Sequence, residues 1–398
     1  MMKSCFKYIS FYTFLLTTII TLISAAQNND PVIRIGMSAA FSGQSSDIGN
    51  SLYEGAISYF DVVNRTGGID GRRIDLIKYD DGYNPIPALE NTLKLIKVDK
   101  VLLLFSYVGT PTVTRVLPLL KLYGDKDYFL FFPLTGAQPQ REPPYDQYVY
   151  NFRASYRDET AGLVDHFVTV GRKRIAVFYQ ADAYGRSGWD GVTRALQKYN
   201  LRIVSEATYR RGTGYGEDFT RHVNILKKQS PDAIISVGSY QACAGLIRDA
   251  RNSNWQIPIA NLSFVNSESM LRLLLKESSR TGKNYSDNII NSEVVPNYND
   301  TSLEIVKEYR KYNSKYNFTG LEGFINAKLL VEILRRMDDN INRQNLKRTT
   351  ESINDLDLGF GEKISFSRGN HQASDLVYYN RVMNGKWIPI DSWKRWEK

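Results

Sequence analysis

Residues 33–85 read IRIGMSAAFSGQSSDIGNSLYEGAISYFDVVNRTGGIDGRRIDLIKYDDGYNP. A short apolar run rich in Ile and Val opens the stretch, Val32–Met37. A small-residue turn follows at Ser42-Gly43, then helical spacing over Asn50–Val63, then a second apolar run at Ile74–Tyr79. Strand, helix and strand in that order predict two parallel strands, because a connection this long crosses over rather than folding into a hairpin.

The same unit recurs downstream. Apolar runs stand at Val101–Phe105, Tyr128–Phe132, Ile175–Tyr179, Ala233–Val237 and Ile257–Leu262. Segments of helical spacing separate them: Ala88–Lys97, Thr112–Leu122, Glu159–Val170, Ser187–Gln197, Asp218–Lys228 and Gln241–Asn252. Continuous apolar strands between amphipathic helices imply parallel sheets covered on both faces, the doubly wound α/β arrangement. Ser155 with Asp158, and Thr301 with Glu304, have the spacing of capping boxes at helix starts.

The 398 residues exceed one ordinary domain and suit two. The chain begins MMKSCFKYISFYTFLLTTIITLISAAQ. A basic start, a short apolar stretch over Tyr8–Ile23 and the small residues Ser24-Ala25-Ala26 predict a secretory signal cleaved after Ala26. The apolar run is about 16 residues, short of the roughly 20 a membrane span needs. No Cys follows the small residues, so no lipid attachment is expected, and a periplasmic location fits. Without Cys5 the mature chain keeps a single thiol, Cys243, so its fold rests on its core rather than on an internal disulfide. The formal charge of +9 is spread along the chain and not interleaved with aromatics, which argues against nucleic acid.

In open α/β sheets ligands bind beyond the carboxyl ends of the strands. The turns there are Ala39–Gln44, Ser106–Thr112, Pro133–Ala137, Asp182–Gly185 and Gly238–Tyr240, all rich in small or hydroxyl residues. Free N–H groups opening a helix suit a small anion such as a carboxylate. Gly109 and Gly136 would let a ligand approach the backbone.

Here the sequence resembles the type I periplasmic binding proteins of the leucine/isoleucine/valine-binding group. The opening stretch carries that pattern: Ser42-Gly43, then Asn64 to Gly71, then Asp80-Asp81 closing a strand. The likeness continues through FSYVGTPT, FPLTGAQ, NFRASYRDE, VFYQADAYG, NLSFVNSE and GFGEKISFSRGNHQASDLVYYNRVMNGKW. The resemblance implies two doubly wound α/β lobes joined by three hinge crossings. Residues 27–150 and 295–355 would form lobe 1, and residues 151–294 and 356–398 lobe 2. It also implies a monomer that holds a small polar ligand, amino-acid-like or carboxylate-bearing, and delivers it to a membrane ABC permease. A periplasmic subunit signalling to a separate receptor is the alternative.

Carried over by position, Gly109 and Thr110 would take the carboxylate, with Tyr107 as a further ligand-binding residue. Leu134, Thr135 and Gly136 would contact the head group, Tyr184 and Tyr240 would cover the ligand, and Glu268 would meet an ammonium. Catalysis is not expected. His166, His222 and His371 lack ligand spacing, Gly212–Gly216 is no phosphate loop, and no Gly-x-Ser-x-Gly elbow or cofactor motif occurs.

Overall fold

The computed structural model describes residues 32–337 and 340–398. The signal expected over residues 1–26 lies outside them. Two open sheets carry the fold. The first has strand order β2-β1-β3-β4-β5, from Arg73–Asp80, Val32–Ala39, Leu103–Phe105, Leu130–Phe131 and Val149–Tyr150, all parallel. The second has order β14-β13-β10-β9-β8-β6-β7. Its parallel part comprises β6 (Ile175–Gln180), β7 (Ser205–Tyr209), β8 (Ala233–Val237), β9 (Ile259–Asn261) and β10 (Ile289–Glu293). A short antiparallel pair stands apart, β11 (Leu356–Asp357) with β12 (Lys363–Ile364), and two antiparallel strands, β13 (Tyr378–Met383) and β14 (Lys386–Pro389), extend the second sheet.

Helices alternate with the strands: α1 (Ser46–Arg65), α2 (Pro85–Lys97), α3 (Thr110–Leu122), α4 (Tyr156–Thr169), α5 (Ala183–Gln197), α6 (Thr220–Lys227), α7 (Tyr240–Asn252) and α8 (Ser267–Thr281). After β10 the chain returns to the first sheet with α9 (Glu304–Tyr312), α10 (Phe318–Arg335) and α11 (Arg343–Glu351). The first-sheet face of α10 is set by close approach. A Cβ on Gly55 of α1 would lie 1.9 Å from Gly320 O, and one on Gly323 would lie 2.1 Å from Leu52 O. Only glycine lets these backbones touch.

The chain therefore passes between the sheets three times: after β5, after β10 and before β13. The first and last passages pair. Asn151 N donates to His371 O at 2.8 Å and Ala373 N to Asn151 O at 2.9 Å. This is the two-lobed, three-crossing α/β architecture the sequence predicts.

Local readings fare unevenly. Ser155 and Asp158 form the expected capping box, with Ser155 N donating to Asp158 Oδ2 at 2.9 Å. Thr301 and Glu304 do not. The helix begins at Glu304 with Leu303 as its cap, because Asp300 takes Ser302 N and Leu303 N into a preceding turn. Strands β7, β10, β13 and β14 escape the apolar-run rule. β7 is a polar edge, and β10 buries Asn291, Ser292 and Glu293, whose side chains are hydrogen-bonded.

Candidate functional site

The paired acids of the opening stretch build one wall. Asp80 Oδ1 accepts from Phe41 N at 2.8 Å, Gly82 N at 2.9 Å and Ser42 N at 3.3 Å. Burial alone would raise its pKa, but the hydrogen bonds from Ser42, Gly82 and Phe41 win and hold it low. Asp81 accepts from Ser38 Oγ at 2.8 Å and from Tyr83 N at 2.9 Å, and burial pushes its pKa up to about 6. These contacts fix Tyr83 at φ 62°, a left-handed conformation uncommon for an aromatic residue.

The turns after β3 and β4 join beside it. Gly109 N donates to Leu134 O at 3.1 Å and Leu134 N to Tyr107 O at 2.8 Å. The Thr110 and Thr135 hydroxyls share a hydrogen bond of 2.7 Å. Ser106 and Phe132, just beyond the strands, both have positive φ, 48° and 55°. One side chain pins both: Asn326 Nδ2 on α10 donates to Ser106 Oγ at 3.2 Å and to Phe132 O at 3.4 Å.

The second lobe meets this wall with aromatics. Phe264 lies 5.8 Å from Tyr83 and 4.7 Å from Tyr184 between ring centroids, and Tyr184 lies 5.1 Å from Tyr156. All four are buried. The room opened by the two glycines is filled by these rings. A Cβ on Gly109 would stand 2.2 Å from Tyr83 Cε2, and one on Gly136 would stand 2.6 Å from Tyr156 Cδ1.

The sequence-predicted residues thus divide. Gly109, Thr110, Leu134, Thr135 and Gly136 form one patch. Tyr184 belongs to the aromatic cluster facing it, through Tyr156 against Gly136. The Leu134 carbonyl, expected to meet ligand, already accepts from Gly109. Tyr240 opens α7 where the lobes touch. Its hydroxyl accepts from Gln241 Nε2 at 3.2 Å, which also reaches Gln44 O at 3.5 Å.

Tyr107 turns the other way, into the first lobe's interior, with its hydroxyl 3.0 Å from Thr92 Oγ1 and its ring among Leu95, Leu104 and Leu120. Glu268 sits on α8 against the start of α10, where Oε1 accepts from Phe318 N at 3.4 Å. It lines a separate cavity of about 790 Å³ with Tyr298, Arg272 and Trp387. Burial pushes its pKa up to about 7.

The sequence reading did not single out Tyr83, Arg153, Tyr156, Phe264 or Glu322. A signal existed for two of them: NFRASYRDE places Arg153 in the first crossing and Tyr156 at the start of the helix that follows it. Arg153 is 1% exposed, ion-paired through Nε with Glu322 at 3.4 Å and hydrogen-bonded through Nη2 to Ser263 Oγ. Arg141 ties the crossing down, donating to Thr135 O at 3.1 Å, Ala137 O at 2.7 Å, Arg153 O at 2.9 Å and Gln372 Oε1 at 3.1 Å. Glu159 is fully engaged by Ser263 N, Ser263 Oγ and Ser292 Oγ at 2.6–2.8 Å. Among the described residues no cluster of His, Cys, Asp and Glu could hold a metal, and no helix is long and apolar enough to cross a membrane.

The chain can now be set beside known proteins. A family model described as "Periplasmic binding protein" matches residues 32–386. An "Amino acid binding protein" from Pseudomonas aeruginosa is 26% identical over 220 residues, 54% of this chain and 56% of the relative, so the chain spans little over half of that protein's length in the match. The Leu/Ile/Val-binding protein of Escherichia coli is 24% identical over 273 residues, 66% of this chain and 71% of that protein. Among solved structures, a possible leucine/isoleucine/valine-binding protein from Rhodopirellula baltica superposes with TM-score 0.84 at 28% identity, covering 94% of this chain and 100% of that one. A branched-chain amino acid ABC transporter protein from Thermus thermophilus with bound valine shares the fold, with TM-score 0.79 at 16% identity over 90% and 95% of the two chains. These superpositions give the chain the same two-sheet α/β fold as those proteins. The chain belongs to the periplasmic binding protein family, as a substrate-binding protein and not an enzyme.

Proposed function

We propose that the protein is exported to the periplasm, captures one small polar ligand between its lobes, amino-acid-like or carboxylate-bearing, and hands it to a membrane ABC importer. The observation that carries this reading is the meeting of Tyr83, from the first lobe, with Phe264 and Tyr184, from the second, over the Thr110–Thr135 patch. Aromatic cover on one side and hydroxyl and backbone groups on the other suit a small ligand with an apolar body and a polar head. Relatives named as amino-acid-binding proteins, and a fold neighbour named as part of an ABC transporter, support the ligand class and the partner.

Residues 27–150 with 295–355, and 151–294 with 356–398, would move as two bodies. The three crossings would absorb the change in dihedral angles on closure. Gly109, Thr110, Leu134, Thr135 and Gly136 would receive the head group, with Tyr184 and Tyr240 closing over it.

Ligand at about 100 times its dissociation constant adds roughly 2.7 kcal/mol of stability. A thermal-shift screen of amino acids, amides, small organic acids and aromatic acids, together with mass spectrometry of whatever co-purifies, tests the capture step. A ligand-free preparation that no compound stabilises removes the reading. Pull-down of an ABC permease from detergent-solubilised membranes by the ligand-loaded protein tests the delivery step.

A further inference from the structure

We propose that Arg153, with the hydroxyls of Tyr83, Tyr156 and Tyr184, forms an anion-binding subsite in the crevice, and that the ligand's carboxylate charge is taken by this guanidinium rather than by the Thr110–Thr135 turn alone. The inference rests on the solute-capture reading and names the chemistry of its ligand.

A guanidinium carries five N–H groups and no acceptor. Arg153 spends Nη2 on Ser263 Oγ, while Nε and Nη1 have no hydrogen-bond partner, which leaves at least three N–H groups unanswered in a residue 1% exposed. Glu322 stands 3.4 Å from Nε, and no hydrogen bond forms between them. Two further buried acids act on Arg153: Glu159, which is saturated by Ser263 and Ser292, and Glu293, which accepts from Ser267 Oγ.

The phenols of the aromatic cluster, of which Tyr156 stands beside Arg153, show the same deficit. The hydroxyls of Tyr83, Tyr156 and Tyr184 are buried and have no partner. Thr110 lies within reach of the Tyr156 hydroxyl and Gln180 within reach of that of Tyr83, so Tyr184, with no polar side chain at its hydroxyl, shows the deficit most clearly. Burial keeps these phenols protonated, so each remains a donor.

Glu322 offsets the charge of Arg153, but its unmet N–H groups and three buried hydroxyls without partners remain costly unless something supplies oxygens. A carboxylate does so, with two oxygens and charge-assisted geometry at a guanidinium. Arg153 is placed to couple that event to the whole molecule. It lies on the first crossing, touches Ser263 of the second lobe and faces Glu322 on α10 of the first.

The test uses the full mature chain, unfolded and refolded to strip ligand, in an anion-poor buffer. Matched acid and amide probes are compared: benzoate with benzamide, isovalerate with isovaleramide, and L-leucine with L-leucinamide. The expected result is that at least one acid binds and its amide binds about 10–100-fold more weakly. Arg153→Gln should abolish that preference, Arg153→Lys should restore part of it, and Tyr156→Phe and Tyr184→Phe should each weaken the acid about 3–10-fold without changing the circular dichroism. The two tyrosine variants keep the test open even if Arg153→Gln fails to fold. Equal binding of an acid and its amide, or wild-type acid binding by folded Arg153→Gln, overturns the subsite and leaves solute capture standing. Failure of every probe pair to bind overturns both.

Discussion

Arg272 Nη2 lies 2.7 Å from Asp47 Oδ2, joining α8 of the second lobe to the first turn of α1 in the first. Ser269 Oγ donates to the same oxygen at 2.6 Å. With the contact of Gln241 to Gln44, this makes a polar rim that holds the lobes together on one side of the aromatic cluster. Arg272 is largely exposed, its side chain at 66%, so the pair is worth no more than about 1 kcal/mol. Asp47→Ala should therefore weaken ligand binding only about 2–5-fold and enlarge the radius of gyration of the unliganded protein in small-angle scattering. Unchanged affinity and unchanged radius would show that the rim does not hold the closed form.

Gly136 tests the aromatic wall. An added Cβ would lie 2.6 Å from the Tyr156 backbone N as well as from its ring, so the start of α4 must move. Gly136→Ala should lower the melting temperature and displace Tyr156 from Tyr184, with a larger loss in ligand affinity than in stability. Gly43→Ala is the control. Gly43 has φ +75° with nothing within 4 Å of its missing Cβ, so that variant should cost roughly 1 kcal/mol of stability from strain with binding unchanged. Calorimetry on both variants decides it, and normal binding by Gly136→Ala would place the crevice elsewhere.

Glu268 should give the protein a pH signature. Burial raises its folded pKa to about 7 from an ordinary 4.5; Phe318 N, Tyr298 and Arg272 oppose the rise. Glu293 lies close enough for Glu268 to help raise its pKa in turn. A raised carboxyl binds its proton more tightly in the folded state. Its contribution is thus neutral below about pH 4.5, and stability falls as pH climbs from there to about 7. The loss approaches about 3 kcal/mol above that window. Glu268→Gln should flatten this part of the denaturation profile and be more stable than the parent at pH 8. A parallel pH dependence in both proteins would assign the titration to another group.

Cys243 should be inert. Its side chain is fully buried, its Sγ lies 3.1 Å from Ser236 Oγ, and burial pushes the thiol pKa to about 12. A thiol reagent at pH 8 should leave the native mature chain unlabelled and modify one thiol once urea is added. Rapid labelling of the folded protein would contradict the burial.

Much of this architecture was legible in the chain. Apolar runs at Val32–Met37, Ile175–Tyr179 and Ala233–Val237 are strands, and the intervening segments are helices, because side-chain periodicity is a local property that burial on two faces imposes. The Asp80-Asp81 pair marked the end of a strand, and Ser155 with Asp158 a helix start; in both, the partners lie within a few residues or at the end of the adjoining strand.

What the sequence by itself determined is the class of fold, the order of the apolar strands with the helices between them, and the small-residue turns at the strand ends. The tertiary structure decided which neighbours those turns meet. It sent Tyr107 into the core and Glu268 to another cavity, and it filled the space beside Gly109 and Gly136 with Tyr83 and Tyr156. It also set Arg153 against Glu322 across the lobes. The physical reason is that periodicity reports which face of an element is buried, while the partner on that face is chosen by packing between segments far apart in the chain.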